Sequence, residues 1–312
     1  MYKRNGQYYI LTTHPANQEW VLKSSSPMGS YNNVKVLANS LSPPVSGGGN
    51  PHQGGLVDLP DGRWYYMAFE DAYPGGRIPV LAPVSWGSDG FPTLTTANGG
   101  WGKSYDMPLS EHTVPSSVGT DKFSGTSLSA AWEWNHNPDT SKFSVNNGLT
   151  LRTATVTSDL YAARNTLTHR IHGPISTATI ELDVSGMADG DVAGLALLRD
   201  QSAWIGVRNN GGTFTVAMTN SILMDSNWGT SNQGSVVASA NVSKGKIYLR
   251  GTVNINPGNG RTGSFSYSVD GGSTYKSLGN SLTLNSNWQF FMGYRWGIFN
   301  VSSRFSFIFY HY

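Results

Sequence analysis

The stretch that decides the fold lies between residues 51 and 92. It reads Pro51-His-Gln-Gly-Gly-Leu-Val57, then Trp64-Tyr-Tyr-Met67, then Gly76-Arg-Ile-Pro-Val-Leu-Ala-Pro-Val-Ser-Trp-Gly-Ser-Asp-Gly-Phe-Pro92. Short aromatic or apolar runs alternate here with turn signals, of which Pro60-Asp-Gly62 is the clearest. Runs of this kind, bounded by Gly, Pro and Asp, are typical of antiparallel strands joined by tight turns. The stretch therefore predicts successive β-strands.

An upstream segment repeats this organisation. The stretches Tyr2 to Ile10 and Val57 to Met67 each contain an Asn-Gly or Asp-Gly turn followed by an aromatic-rich strand. Each is followed by a further predicted strand, Glu19 to Ser24 and Ile78 to Val84. A unit that recurs at roughly 55 residues is typical of successive propeller blades, although two copies also fit two hairpins of one sandwich.

The rest of the chain also consists of short apolar or alternating runs bounded by turn residues, and helical periodicity is almost absent. Further strands are predicted at Leu149 to Arg152, Ala178 to Val184, Val192 to Leu198, Ala203 to Arg208, Thr213 to Met218, Lys246 to Val253, Gly263 to Ser268 and Gln289 to Tyr294. The polar, aperiodic stretch Ser104 to Lys122 predicts a linker. We therefore divide the chain into residues 1–110, a linker at 111–122 and a second domain at 123–312.

Composition excludes several classes of function. The net charge is +2 without a run of like charges, which argues against nucleic acid as a partner. There is no cysteine, which excludes disulfides and thiolate metal sites. No apolar run reaches the ~18 residues of a membrane span, and the first ten residues, MYKRNGQYYI, lack the apolar core of a signal peptide. Aromatic residues make up 12% of the chain, which suits a surface that stacks on sugar rings.

The stretch from Pro51 to Pro92 resembles the last blade of glycoside hydrolase family 43, five-bladed propellers that cut xylose and arabinose from plant polysaccharides. Tyr2 to Ile10 resembles the strand pair after that family's catalytic Glu, and Lys23 to Ser30 resembles its Ser-Pro stretch. In the second part, Trp132-Glu-Trp-Asn135, Ala163 to Thr168 and Asp183 to Leu195 resemble the concanavalin-like sandwich appended to family β-xylosidases, as do Phe123 and Leu128. The resemblance predicts an all-β chain: an incomplete five-bladed β-propeller, represented by its last blades, followed by a concanavalin A-like jelly-roll β-sandwich.

The resemblance also implies an activity, the inverting hydrolysis of xylosyl or arabinosyl units of xylan or arabinoxylan. An Asp activates water, a Glu protonates the leaving oxygen, and a second Asp tunes the Glu; the acid and base stand roughly 6.5–9.5 Å apart. These carboxylates belong to the earlier blades, and the Glu is expected a few residues before Met1. The expectation is therefore a chain truncated at its N-terminus, without catalytic residues and inactive alone. Glu70 and Asp71 cannot substitute as a pair, because neighbours on a strand point to opposite faces.

The substrate-binding residues that we predict are His52, Gln53, Arg77, His14, Gln18 and Glu70. The family His that matches His52 points into the central channel, where it holds a water or a cation under the sugar. Arg77 matches the family Arg that reaches a sugar hydroxyl, and a planar donor fork suits vicinal hydroxyls. His14 and Gln18 follow a strand where a site wall is expected, and Glu70 is expected at the rim.

No cofactor is required by this interpretation, and a structural Ca²⁺ is a further expectation for such sandwiches, although no dense Asp cluster marks a site. A secreted or extracellular location is expected for the parent protein. The sandwich of this chain could be a binding module or a scaffold, and we expect it to be mainly structural. In related enzymes it lends an aromatic side chain to the leaving-group subsite. Two alternatives stay open: a non-catalytic carbohydrate-binding protein, and a chain that completes a propeller supplied by another polypeptide.

The C-terminus departs from the family pattern after Asn300. The last eight residues, Phe305 to Tyr312, are aromatic and uncharged, the profile of an aggregation-prone strand. Two interpretations follow, a departure of the coding sequence from the family at this point or a closing strand of the sandwich.

Overall fold

The computed structural model describes residues 1–303 and 307–311, the last five by their backbone alone. The chain divides into two compact units, Met1–Thr113 and Val114–Tyr312. Strands dominate both units, which confirms the all-β prediction. None of the helices among the described residues has the length and apolar character that a membrane span needs.

The first unit consists of two four-stranded antiparallel sheets, each a meander in chain order. The first sheet contains β1 (Tyr2–Arg4), β2 (Gln7–Thr13), β3 (Gln18–Ser24) and β4 (Asn33–Asn39), and the second contains β5 (His52–Asp58), β6 (Trp64–Asp71), β7 (Arg77–Trp86) and β8 (Pro92–Leu94). The two predicted repeats are thus the first hairpins of two equivalent sheets, the topology of propeller blades.

The turn chemistry of the sequence accounts for the first hairpin. Arg4 pairs with Gln7, so the loop between them has two residues. Those residues, Asn5 and Gly6, have φ values of +48° and +74°. Positive φ at both central positions defines the type I′ turn, whose twist matches the strands and which favours Asn-Gly.

The second unit is a two-layer sandwich. Its strands are β9 (Trp132–Trp134), β10 (Phe143–Val145), β11 (Leu149–Arg152), β12 (Leu167–Arg170), β13 (Ile175–Asp183), β14 (Asp191–Leu198), β15 (Gln201–Asn210), β16 (Thr213–Met224), β17 (Thr230–Asn241), β18 (Lys246–Asn254), β19 (Thr262–Ser268), β20 (Lys276–Ser277), β21 (Leu282–Thr283), β22 (Arg295–Ser302) and β23 (Phe307–His311). Short 3₁₀ helices lie at Thr140–Lys142, Val184–Gly186 and Trp288–Phe290.

The two layers enclose one hydrophobic core. One sheet has the order β10-β11-β23-β13-β18-β19-β20, with β21 also paired to β19, and the other has the order β17-β16-β15-β14-β22-β12-β9. Alternate residues of the central strands, such as Ile180 and Leu182 of β13 and Leu195 and Leu197 of β14, are fully buried between the layers. This arrangement confirms the concanavalin A-like sandwich.

Several strands escape sequence-based prediction, and two of them, β4 and β17, lie at sheet edges. The strand β17 is polar, reads TSNQGSVVASAN, and is largely exposed at one end of its sheet. The strand β4 occupies the outer edge of the first blade, and its first four residues are exposed. An edge strand has a partner on one side only, so its sequence needs little apolar alternation.

The predicted strand Gln289 to Tyr294 is wrong. A 3₁₀ helix occupies Trp288–Phe290, Phe291 follows with φ +60°, and the strand begins only at Arg295. A buried cation explains the difference, because the Arg199 guanidinium binds the carbonyl oxygens of this loop. Those carbonyls cannot then join a sheet ladder, a contact that local sequence does not reveal.

The C-terminal strand β23 pairs antiparallel with β11 and with β13. A closing strand therefore forms within the tail. In the C-terminal segment that follows Asn300, residues 304–306 and 312 lie outside the described part of the chain.

Candidate functional site

The second blade presents a β-bulge at the start of β5. His52 pairs with Phe69, whereas the next pair is Gly55 with Met67, so Gln53 and Gly54 together face Ala68. Gln53 has φ +52°, in the left-handed region that non-glycine residues seldom adopt. Bulges re-aim neighbouring side chains and are common beside functional sites. This one orients His52 and leaves Gln53 exposed.

Gly54 is required at the bulge because its backbone lies against β6. A Cβ atom at this position would lie 2.4 Å from the carbonyl oxygen of Met67 and 2.5 Å from the ring of Tyr66. Both distances are far below ordinary contact, so no side chain fits. The Gly-Gly pair in the sequence thus has a steric cause.

His52 is buried, and its hydrogen bond defines its tautomer. Its Nδ1 lies 2.7 Å from the carbonyl oxygen of Asn50, which can only accept, so Nδ1 carries the proton. In the neutral ring Nε2 is then an acceptor, able to bind a water, a sugar hydroxyl or a cation.

A row of side chains connects His52 with Arg77. The ring of His52 meets the ring of Phe69 edge-on, with 4.7 Å between centroids. The Arg77 guanidinium lies over the same Phe69 ring, 4.1 Å from its centroid, and Arg77 Nε donates to Asp71 Oδ1 at 3.0 Å. Stacking and an ion pair fix the orientation of the donor fork. The structure therefore brings two of the predicted residues into one row on one face of the blade.

Glu70 does not belong to this row. It lies on the opposite face of β6 from Phe69 and Asp71, and its side chain is fully buried. Neither carboxyl oxygen has a hydrogen bond of ordinary geometry with the described residues. Burial raises the pKa of Glu70, and the backbone of Val45 offsets this only in part. The rim position that the sequence suggested is not where the side chain lies.

His14 and Gln18 lie on the first blade. His14 is exposed and touches the ring of Trp20 edge-on at 5.4 Å. Gln18 donates to Asn39 Oδ1 at 2.7 Å and accepts from Trp20 Nε1 at 2.9 Å. The amide of Gln18 thus links Asn39 to Trp20, and a role of His14 and Gln18 in sugar binding stays a prediction.

Glu19 is a buried group that sequence analysis did not select. Its carboxylate accepts from Thr13 Oγ1 at 3.1 Å and from the backbone N–H of Gly54 at 3.4 Å. The Tyr66 hydroxyl also accepts from Gly54 N–H, at 3.1 Å. Glu19 therefore links the first blade to the bulge that carries His52. Its strand, QEWVLKS, also contains a charged lysine, so no sequence signal distinguishes Glu19.

Within residues 1–303 and 307–311, no three His, Asp or Glu side chains come together in a way that could hold a metal ion. A structural Ca²⁺ therefore stays a prediction without an assigned site. A cation at His52 would need further ligands beyond this single nitrogen.

Residues 120–306 match the family of the beta xylosidase C-terminal concanavalin A-like domain of glycoside hydrolase family 43. The chain belongs to glycoside hydrolase family 43. This family 43 chain is 30% identical over 244 residues to a beta-xylosidase of Formosa agariphila, an alignment that covers 62% of the chain.

Solved structures of family 43 superpose on both units. A glycoside hydrolase whose engineered active site gives endo-xylanase and exo-arabinofuranosidase activity matches 100% of the chain, with 44% identity and a TM-score of 0.93. A bifunctional family 43 protein of Bacteroides eggerthii matches 99% of the chain, with 31% identity and a TM-score of 0.83. The chain spans 63% of the former, 39% of the latter and 40% of the beta-xylosidase.

Proposed function

We propose that this chain forms the sugar-binding part of a family 43 hydrolase that acts on xylan or arabinoxylan, and that His52 and Arg77 contact the bound pentosyl unit. The observation that carries the proposal is the row in which one Phe69 ring bridges His52 and Arg77. A partly exposed guanidinium held by a ring and a carboxylate is a preorganised donor for vicinal hydroxyls. The activities of the relatives, xylosidase, xylanase and arabinofuranosidase, support the same substrate class.

In this proposal, the row of His52, Phe69 and Arg77 binds sugar and does not transfer protons. Asp71 is engaged by Arg77, and Glu70 projects from the other face of the strand. An inverting acid–base pair needs two carboxyl groups across one water, a spacing of roughly 6.5–9.5 Å. Neighbouring strand residues on opposite faces cannot frame one water. We therefore propose that the purified chain does not hydrolyse glycosides by itself.

Two measurements test these statements. Titration calorimetry with xylobiose and with arabinoxylan oligosaccharides should detect binding to the wild-type chain, and Arg77→Ala should weaken it by roughly tenfold, about 1.4 kcal/mol. Arg63→Ala is the matched control, because Arg63 is bound to the exposed Asp61 in a turn away from the row. Wild-type affinity in Arg77→Ala would reject the assignment. Substantial turnover of aryl xylosides or arabinosides by the purified chain would reject the statement on hydrolysis.

A non-catalytic carbohydrate-binding role is the second candidate. The observation in its favour is the same: the row can hold a sugar without any of the described carboxyl groups taking part in proton transfer. Binding of polysaccharide without turnover, both alone and after addition of a separate polypeptide that carries the family's catalytic carboxylates, would favour this candidate.

A further inference from the structure

The sandwich carries a cleft that the interpretation above does not use. The cleft has a volume of about 360 Å³ and lies between the hairpin loop of β16 and β17 and the loop that precedes β22. Its walls include Trp228 from the first loop and Asn287, Gln289 and Phe290 from the second. Volumes of this order hold a small organic ligand.

Large aromatic side chains are exposed at the cleft. The rings of Trp228 and Phe290 meet edge-on with 5.0 Å between centroids, and Trp228 is 46% exposed. Beside them, the rings of Trp288 and Phe291 meet at 5.7 Å, and each is more than half exposed. Clustered exposure of this kind marks a binding surface, because scattered single residues are the normal case.

The backbone at these aromatics is in a conformation that bulky residues avoid. Trp228 has φ +63° and Phe291 has φ +60°, both in the left-handed region. Glycine adopts this conformation without cost, so a hairpin selected for stability alone would have glycine at the position of Trp228. Strain of this kind persists where the side chain has a use.

Hydrogen bonds of Asp225 and Arg199 hold the two loops in place. Asp225 Oδ1 accepts the backbone N–H groups of Asn227 and Gly229, at 2.8 and 3.0 Å. On the other side, Arg199 is completely buried and donates to the carbonyl oxygens of Asn285 and Met292, at 3.1 and 2.7 Å. The aromatics are thus mounted on ordered loops, which lowers the entropic cost of binding a ligand.

The polar groups of the cleft indicate a neutral ligand. Both carboxylates of the lining are already engaged, Asp200 by Arg199 at 2.7 Å and by Asn285 Nδ2, and Asp225 by backbone N–H groups of its own loop. The amides of Gln201 and Gln289 contribute both donors and acceptors to the walls without charge. Aromatic faces with amides suit a molecule that has flat apolar faces rimmed by hydroxyls, which describes a pyranose chain.

We propose that this cleft is a second carbohydrate-binding site, which binds a xylan-type oligosaccharide by stacking on Trp228. The identity of the sugar rests on the proposed function, but the site is independent of the row on the second blade. Its role is to hold a polysaccharide chain, because the two carboxyl groups of the lining, Asp200 and Asp225, are already engaged by hydrogen bonds within the protein.

Titration of the full chain with xylohexaose tests the site. Trp228→Ala should weaken binding by roughly tenfold, whereas Trp228→Phe, which keeps a ring, should stay within about threefold of wild type. Ile175→Ala is the matched control, since Ile175 is a 66% exposed apolar residue of the same unit outside the cleft. Trp228→Gly should lose binding like the alanine variant and melt at a higher temperature than it, because glycine relieves the positive φ.

Comparison of the Trp228 and Arg77 variants distinguishes sugar binding at the cleft from sugar binding at the row. Full affinity in Trp228→Ala with loss in Arg77→Ala would overturn the cleft and leave the row in place. Loss in Trp228→Ala with full affinity in Arg77→Ala would do the reverse. A wild-type chain that binds no xylohexaose would overturn both. A Trp228→Ala variant that changes the sedimentation coefficient instead of sugar binding would identify the cleft as a protein interface and overturn the proposal.

Discussion

Glu19 and Gly54 meet across two blades: a carboxylate oxygen of Glu19, on β3, accepts the backbone N–H of Gly54, in the bulge of β5, at 3.4 Å. Glu19 is only 2% exposed, so this bond is made away from water. A hydrogen bond between two sheets fixes the bulge relative to the neighbouring blade. The position of His52, two residues earlier, therefore depends on a residue that is far away in the sequence.

Removal of the Glu19 carboxylate should loosen the bulge. Glu19→Ala leaves the Thr13 hydroxyl and the Gly54 N–H with one acceptor fewer in a buried place, at a cost of about 2 kcal/mol in the free energy of unfolding. Glu19→Gln keeps one carbonyl acceptor and should cost less than half of that. Urea denaturation measures both, and amide exchange at Gly54 should accelerate in the alanine variant. Unchanged exchange there would contradict the link, and Glu111→Ala, at an exposed position, is the control.

Glu70 should make stability depend on pH. Burial raises its pKa above the ordinary value of 4.5. At pH values between the pKa of the unfolded chain and that of the folded state, the folded state therefore holds a proton that the unfolded chain has released. Below about pH 4.5 the carboxyl is neutral in both states, and its full contribution to stability is present. That contribution falls as pH rises through the raised pKa of the folded state.

Glu70→Gln isolates this effect because glutamine does not titrate. The free energy of unfolding of the variant, relative to wild type, should therefore increase between pH 4.5 and pH 8. Denaturation in urea at several pH values measures the difference. Asp71→Asn provides the control, since Asp71 is partly exposed and paired with Arg77. A wild-type minus variant difference that does not change with pH would refute the assignment.

Strands with clear apolar alternation were predictable, whereas those governed by tertiary contacts were not. The hairpin at Asn5-Gly6 follows from turn chemistry alone, and β11 was predicted to the residue. The edge strands β4 and β17 lack alternation because one side of each has no sheet partner. An edge position is not the whole cause, because β22, which has sheet partners on both sides, was also missed.

The candidate site, too, was predictable only in part: its residues were, but the contacts between them were not. Family resemblance selected His52 and Arg77 individually, and the structure joins them through Phe69, which looked like an ordinary strand residue. Glu19 is 35 residues from Gly54, and no local signal connects them. Adjacent residues can be assigned to opposite faces from sequence, but contacts between blades need coordinates.

Gly54 should tolerate no side chain. In Gly54→Ala the new methyl group would overlap the Met67 carbonyl oxygen, so β5 must move away from β6. We expect a loss of about 3 kcal/mol or more in the free energy of unfolding. Gly62→Ala is the matched control, because Gly62 has φ +86° but open space around it, and should cost about 1 kcal/mol. Equal losses in the two variants would show that overlap is not the cause.

Arg199 should control the loop that replaces the predicted strand before β22. Arg199→Met fills a similar volume but removes the cationic partner of the Asp200 carboxylate and the Arg199 donors to the carbonyl oxygens of Asn285 and Met292. Loss of one partner of a buried ion pair costs about 3–5 kcal/mol, so the sandwich should be strongly destabilised.

A second variant separates the role of the charge from that of the loop. Arg199→Met/Asp200→Leu removes both members of the pair, and should recover part of the lost stability while the loop carbonyls stay unpaired. Amide exchange at residues 285–292 should then remain faster than in wild type, and binding of xylohexaose should remain weak. Exchange at the wild-type rate in the double variant would mean that the loop holds its shape without the guanidinium.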